Sequence, residues 1–347
     1  MNDEILISEI GSKRVLQLNR PKLMNAYNSY MIKKLRECLE EWQIDPTVKL
    51  VIVKGNDRAF SSGGEIRDVA GFGDHVDHLI KFNYSIKSFS KPYVALVDGV
   101  AMGGGLGLAV NGQFVVATER AIAAMPEAVV GYYPDAGAAH FLTGNFGLFM
   151  ALTGFRLKGA DIYHVGLASH YIKSSNLVTL EQDLLSIPEN SINEESVKSV
   201  LSKFHERSLP PFSLKPYSEE IENSFSKNSV ESIVESLQSK NSEFSQKVLK
   251  DLLKISPTSL KVTFQHFTTA KNLTFEDLMD VEYRLTQRFV KEHDFYEGVR
   301  AMLIEKDRKP KWKPCRLEDV SQEIVDSYFT KKISKNYINQ TFLESKL

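Results

Sequence analysis

Two glycine-rich turns, Phe60-Ser61-Ser62-Gly63-Gly64 and Val100-Ala101-Met102-Gly103-Gly104-Gly105, constrain the fold of this chain more than any other feature. Glycine lacks the Cβ that would hold another backbone or a ligand at a distance, and it reaches backbone angles closed to other residues. One such run by itself reads as a tight turn from strand to helix. Two runs at matching strand ends predict more: the main-chain N–H groups of Gly64 and Gly104 aimed at one oxygen. A helix starting at the second turn would add the positive end of its dipole.

The surrounding pattern is α/β. Arg14–Leu18 alternates as a strand and runs into Asn19-Arg20-Pro21, where proline stops the ladder. From Ser29 to Trp42 the residues Met31, Leu35, Leu39 and Trp42 share one helical face, and Asp45-Pro46 ends the period. Leu50-Val51-Ile52-Val53 and Tyr93-Val94-Ala95-Leu96-Val97 are apolar runs of the kind buried in parallel sheets, and glycine closes each of them. Beyond Ser175 the texture becomes helical periods separated by Ser, Asn and Pro, as in Val197–Phe204 and Val230–Leu237. The expected organisation is a core over residues 1–200 and a helical C-terminal region over residues 201–347.

A chain of 347 residues buries a large core and forms one large or two ordinary domains. Its net charge of -1 gives no general attraction to nucleic acid or to an anionic membrane. Cys38 and Cys315 do not suggest a disulfide framework, and no apolar run reaches the length of a membrane span. Met1-Asn2-Asp3-Glu4 lacks the basic start of a secretory signal. The final Ser345-Lys346-Leu347 is the tripeptide read by the peroxisomal import receptor, which makes that receptor an expected partner and the peroxisome the expected compartment.

Other glycine and nucleophile motifs fail. Gly103 and Gly105 begin a dinucleotide fingerprint, but Leu108 occupies the place of its third glycine. There is no G-x-x-x-x-G-K-[ST] phosphate loop, no G-x-S-x-G elbow and no metal-binding histidine spacing. A metal or redox cofactor therefore has no support in the sequence.

Two acids follow the second turn. Glu127 sits in Ala123-Ala124-Met125-Pro126-Glu127-Ala128-Val129-Val130, where an apolar setting would raise its pKa and suit it to act as a base or nucleophile. It reads equally as an exposed acid after a helix-starting proline. Asp135, in Pro134-Asp135-Ala136-Gly137, is either an ordinary turn residue or a second acid of the same site.

These residues resemble the crotonase (enoyl-CoA hydratase/isomerase) superfamily, and within it the 3-hydroxyisobutyryl-CoA hydrolases, including peroxisomal plant-type members. The superfamily pattern is met by Asn19-Arg20-Pro21 with Asn25-Ala26, by Phe60–Gly64 and by Met102–Gly105. The hydrolase pattern is met by Met125-Pro126-Glu127, Pro134-Asp135, Leu152–Gly159, Ser256–Lys261 and Glu297-Gly298-Val299-Arg300-Ala301 through Pro314.

The resemblance implies a spiral of ββα units under a helical C-terminal region, and an acyl-CoA substrate whose thioester oxygen rests on the N–H groups of Gly64 and Gly104. It implies that Glu127 attacks the thioester or activates water, and that Asp135 holds the 3-hydroxyl or the water. Lys22, Asn25, Ala26 and Ser62 would lie along the CoA. Hydratases of this superfamily carry a second catalytic Glu where this chain has Gly107, which disfavours hydration. An acid-rich pocket stretch of the hydrolases is replaced here by His78, Leu79 and Ile80, in a segment from Arg67 to Lys81 that reads as a shortened, mobile loop. That change leaves the acyl group open, and with it a non-catalytic acyl-CoA-binding role. His75 and His78 read as loop histidines or as substitute polar contacts. Superfamily members commonly form trimers or hexamers, which leaves a homo-oligomer open.

Overall fold

The computed structural model describes residues 3–56, 58–66 and 76–330. Contacts group the chain in two compact units, each discontinuous in sequence. The first contains Met1–Gly64, Ser85–Ala124 and Arg156–Lys215; the second contains Glu65–Tyr84, Met125–Phe155 and Pro216–Leu347 as far as these are described.

The first unit holds two sheets. Strands β1 (Ile5–Ile10), β2 (Lys13–Leu18), β3 (Leu50–Lys54), β5 (Tyr93–Val97), β7 (Phe114–Ala117) and β10 (His170–Tyr171) form one in the order β1-β2-β3-β5-β7-β10. Only the β1–β2 hairpin is antiparallel in it. Strands β4 (Ala59–Ser61), β6 (Val100–Met102), β8 (Ile122–Ala124) and β9 (Leu157–Lys158) form the other, parallel except for β9. Each pair β3/β4, β5/β6 and β7/β8 thus sends its first strand to the large sheet and its second to the small one. The strand-strand-helix repeat that the family resemblance implies is present.

The apolar runs behave as parallel strands covered on both faces: all five residues of β5 and all four of β7 are buried. Val15, Leu50, Ile52, Val94, Leu96 and Val116 of the large sheet pack in one core with Leu180, Leu184, Val197 and Leu201, which lie on the helices Leu177–Leu185 and Glu194–Phe204. The predicted helix after Pro21 runs over Ser29–Ile44, with the Asn28 side chain accepting the Met31 N–H at 2.9 Å as its N-cap. It buries Met31, Leu35, Leu39 and Trp42 as its periodicity requires.

The second unit is helical. The helices Val230–Ser239, Glu243–Leu252, Pro257–Thr269, Phe275–Phe289 and Gln322–Phe329 start after Ser229, Ser242, Ser256, Thr274 and Ser321, and each of these side chains accepts an N–H from the first turn. The serines and threonines between helical periods are therefore start signals. Tyr132, Tyr133, Val262, Leu285, Phe289, Phe295, Val299 and Tyr328 form a core of this unit.

One expectation changes. From Val76 onward the supposed loop is the helix Val76–Lys87, with Val76, Leu79, Ile80 and Ile86 buried. Those positions recur at helical spacing, a signal obscured in the sequence by the interleaved charges. The rest of that segment, 67–75 with His75, lies outside the described residues.

Candidate active site

The first unit builds the glycine turns. Because β4 and β6 are parallel neighbours, their C-terminal ends lie side by side and the two turns leave from the same edge. A Cβ on Gly63, whose φ is +91°, would stand 2.8 Å from the Met102 carbonyl oxygen and 3.2 Å from the Gly104 nitrogen. A Cβ on Gly105 would stand 2.4 Å from the Ser61 carbonyl oxygen. The turns touch backbone to backbone, which only glycine permits here. Gly104 opens the helix Gly104–Val110, so its N–H has no acceptor within the helix. Among the described residues neither the Gly64 nor the Gly104 N–H donates to a turn or loop carbonyl. Gly107, where a hydratase would place its second acid, is buried in this helix.

The four residues expected along the CoA lie together beside the first turn. Ser62 donates its N–H to Met24 at 2.9 Å and its hydroxyl to Leu23 at 3.4 Å, which seats it against the Pro21–Leu23 turn that carries exposed Lys22. Ala26 follows, partly buried. Asn25 is fully buried at φ +55°, and its side chain accepts the Arg20 N–H at 2.9 Å and donates to Ala59 at 2.7 Å. Its side chain is thus engaged with the protein's own backbone and fastens the loop to β4. Tyr27 donates its N–H to the Gly63 carbonyl at 3.0 Å, and its hydroxyl oxygen would be only 1.9 Å from a Cβ on Gly104.

The second unit builds an acidic cluster. Glu127 is the first residue of the 3-10 turn Glu127–Val130, preceded by Pro126. The residue keeps some exposure, but its Oε2 is buried and has no hydrogen-bond partner among the described residues. Asp135 is 7% exposed, and the Tyr132 hydroxyl donates to its Oδ2 at 3.4 Å. Loss of water lifts the Glu127 pKa well above the carboxylate range, and the nearby charge of Asp135 lifts it further. Burial, then the charge of Glu282, pushes Asp135 up to about 8.

Glu282 and His266 were not singled out by the sequence reading. Glu282 lies on the helix Phe275–Phe289, fully buried, with its pKa raised by burial to about 8 against the opposing N–H bonds of Gly137 and Ala136. His266 is also fully buried, and burial lowers its pKa to about 3, so it is neutral at physiological pH. The one local signal was Glu282 at a core position between Leu278 and Leu285, a carboxylate on an apolar stripe.

The cluster suits proton transfer or nucleophilic attack by a carboxylate, because desolvated acids with raised pKa are strong bases once ionised. The glycine turns suit stabilisation of an oxyanion.

Comparison with known proteins agrees with the fold. The structure superposes on a carnitinyl-CoA dehydratase from Mycobacterium thermoresistibile with a TM-score of 0.88 and 29% identity, covering 96% of this chain and 98% of that one. An enoyl-CoA hydratase from Rhodobacter sphaeroides 2.4.1 gives a TM-score of 0.85 and 28% identity, covering 94% and 97%. In sequence, the mitochondrial 3-hydroxyisobutyryl-CoA hydrolase of Xenopus laevis is 43% identical over 94% of this chain and 88% of its own length. The human protein of the same name is 41% identical over 94% and 88%.

These relatives correct one expectation. They are named as mitochondrial, which overturns the peroxisomal assignment drawn from Ser345-Lys346-Leu347 and leaves the likeness to peroxisomal plant-type members unsupported. A tripeptide is short enough to arise by chance in a tail rich in Ser and Lys, and these three residues lie outside the described ones. No described helix is long and apolar enough to cross a membrane. The enoyl-CoA hydratase/isomerase family model matches residues 13–329, and with relatives above 40% identity along nearly the whole length the chain belongs to that family.

Proposed function

We propose that this protein hydrolyses the thioester of 3-hydroxyisobutyryl-CoA, or of a close short-chain 3-hydroxyacyl-CoA, to the free hydroxy acid and CoA in mitochondrial valine breakdown. The observation that carries the reading is the 41–43% identity, over 94% of the chain, to relatives named for this activity. In the proposed reaction the N–H groups of Gly64 and Gly104 take up the negative charge that develops on the thioester oxygen. Glu127 either removes a proton from the attacking water or adds to the carbonyl carbon itself, giving an anhydride that water opens. Either route breaks the C–S bond, and the CoA sulfur leaves as a thiol. Asp135 holds the 3-hydroxyl or the water, and Lys22, Asn25, Ala26 and Ser62 form the segment that follows the CoA.

The named functions of the superposed structures favour a second reading, hydration of an enoyl-CoA. Gly107 stands against it, because addition of water to an alkene asks for paired acid and base. The test is thiol release from (S)-3-hydroxyisobutyryl-CoA, with 3-hydroxypropionyl-CoA, acetyl-CoA and crotonyl-CoA alongside. Release from the 3-hydroxy substrates is expected. Hydration of crotonyl-CoA without thiol release would establish the second reading, and CoA binding without turnover of any of the four would favour a binding protein or an enzyme for another acyl group.

Gly104→Ala is expected to lower kcat by about 10²-fold, because the new methyl must displace either Tyr27 or the helix N-terminus that carries the donor. Steady-state kinetics at saturating substrate check it. A kcat within about threefold of wild type would remove Gly104 from the oxyanion site.

A further inference from the structure

We propose that Glu282 is a positioning residue of the reaction: it clamps the left-handed turn Asp135–Gly137 from behind and controls the charge state of Asp135. The proposal rests on the hydrolase reading, and it concerns a residue that touches neither the substrate nor the reacting atoms.

Both Glu282 carboxyl oxygens accept the Gly137 N–H, at 3.1 and 3.2 Å, and the Ala136 N–H also bonds to this carboxyl. The turn they hold is unusual. Ala136 has φ +58° and Gly137 φ +79°, and the first of these is a conformation that an alanine side chain resists. Ala136 is fully buried, so no solvent replaces the bonds that Glu282 supplies.

The same helix holds Asp135 from a second direction. One turn beyond Glu282, the Thr286 hydroxyl pairs with the Tyr132 hydroxyl at 2.6 Å and with the Tyr133 hydroxyl at 2.8 Å. Tyr132 reaches Asp135, and Tyr133 donates to the Glu282 carbonyl at 2.8 Å. The orientation of Asp135 is therefore set by a connected set of buried groups.

The charge argument has the same sources. The titratable groups that face Asp135 and Glu282 are Glu127 on its 3-10 turn, Tyr132 and Tyr133 beyond it, and His266 on the helix Pro257–Thr269. His266 Nε2 stands 3.5 Å from Glu282 Oε1, and neither ring nitrogen has a hydrogen-bond partner among the described residues. None of these groups is a cation at neutral pH. Ionisation of Glu282 accordingly opposes ionisation of Asp135, and removal of its charge lowers the pH at which Asp135 and Glu127 lose their protons.

The test uses the full-length protein labelled with 13C at the Asp and Glu carboxyl carbons, with Asp135→Asn and Glu282→Gln assigning the two resonances. In wild type the Asp135 and Glu282 signals should each report both steps of one coupled titration. In Glu282→Gln, which keeps the side-chain length and one acceptor for Gly137, the Asp135 midpoint should fall by more than about one pH unit. The low-pH limb of kcat/KM should move to lower pH with it, whereas a purely structural role would change stability and leave that limb in place.

Independent single-step curves in wild type, or an unmoved Asp135 midpoint in a folded Glu282→Gln protein, would overturn the proposal. Where Glu282→Gln does not fold, the Glu127→Gln protein decides the matter: with Glu127 neutralised the Asp135 signal should still titrate in two steps, and a single step would overturn the proposal. The titration also separates the two readings: a protein that releases no thiol but shows the coupled titration and its shift loses the hydrolase assignment and keeps the link between Glu282 and Asp135.

Discussion

Glu127→Gln is expected to lower kcat for thioester hydrolysis by about 10³-fold or more while leaving acyl-CoA binding nearly unchanged. The amide has the shape of the carboxyl it replaces, so packing around the 3-10 turn is preserved. It has neither the proton affinity nor the nucleophilicity of a desolvated carboxylate. The unpartnered Oε2 is the geometric reason to expect so large an effect: no protein hydrogen bond must be broken before that oxygen reacts. Its raised pKa fixes the sign of the pH dependence. The ionised form does the work, so kcat/KM should climb as pH rises through the raised value and fall away below it. Single-turnover hydrolysis in 18O-water that places the label in Glu127 shows nucleophilic addition with the anhydride opened at the Glu127 carbonyl, a result that a general base does not give. Full activity in Glu127→Gln would exclude this residue from the chemistry.

Gly298→Ala is expected to destabilise the protein by about 3 kcal/mol and to reduce turnover as well. A Cβ at this position would lie 2.2 Å from the Val130 carbonyl oxygen. On the same contact, a Cβ on Gly131 (φ +72°) would lie 2.1 Å from the Asp294 carbonyl oxygen. The helix His293–Val299 therefore meets the Glu127–Val130 turn backbone against backbone, with no flexible side chain to give way. Asp294 anchors that helix by accepting from the Ser256 hydroxyl at 2.6 Å and the Lys313 N–H at 2.8 Å. The displaced partner carries Glu127, so the loss of stability and the loss of activity should appear together. Urea denaturation and steady-state kinetics on the one variant check both, and an unchanged midpoint would show that the helix can move aside.

The Glu297-Gly298-Val299-Arg300-Ala301 motif acquires a physical meaning from this contact. Gly298 permits the close approach. Arg300 pairs with both Glu297 oxygens at 2.8 Å and with Asp307 at 2.8 Å, tying down the segment that follows. These bonds are largely at the surface, and they contribute less than the backbone fit.

Much of the frame was legible because its causes are local. The runs Leu50–Val53 and Tyr93–Val97 could be read as covered strands, since burial on both faces demands unbroken apolar residues. The glycine turns announced themselves because close backbone approach excludes every other side chain, and the fold duly places Gly63 against Gly104. The helix from Val76 carried its signal too, in Val76, Leu79, Ile80 and Ile86, although charged neighbours hid it. Asn25 illustrates the opposite case. The family resemblance implied a place for its segment along the CoA, and only the folded chain shows that its side chain is spent on the Arg20 N–H and the Ala59 carbonyl.

The sequence by itself determined the alternation of buried strands, glycine turns and helices, and it nominated Gly64, Gly104 and Glu127, because each of these readings depends on residues adjacent in the chain. Tertiary structure alone decided which buried groups stand around the acids Glu127 and Asp135. Glu282 stands among the charged residues Asp280, Arg284 and Arg288 of its helix, and apart from its place on the apolar stripe nothing in the sequence points to Gly137 as its partner until the fold brings them together. His266 looks like an ordinary histidine until burial makes it neutral. Desolvation and the field of a buried charge act through space rather than along the chain, so the raised pKa of Asp135 comes from its burial and then from the charge of Glu282, on a helix far from it in sequence.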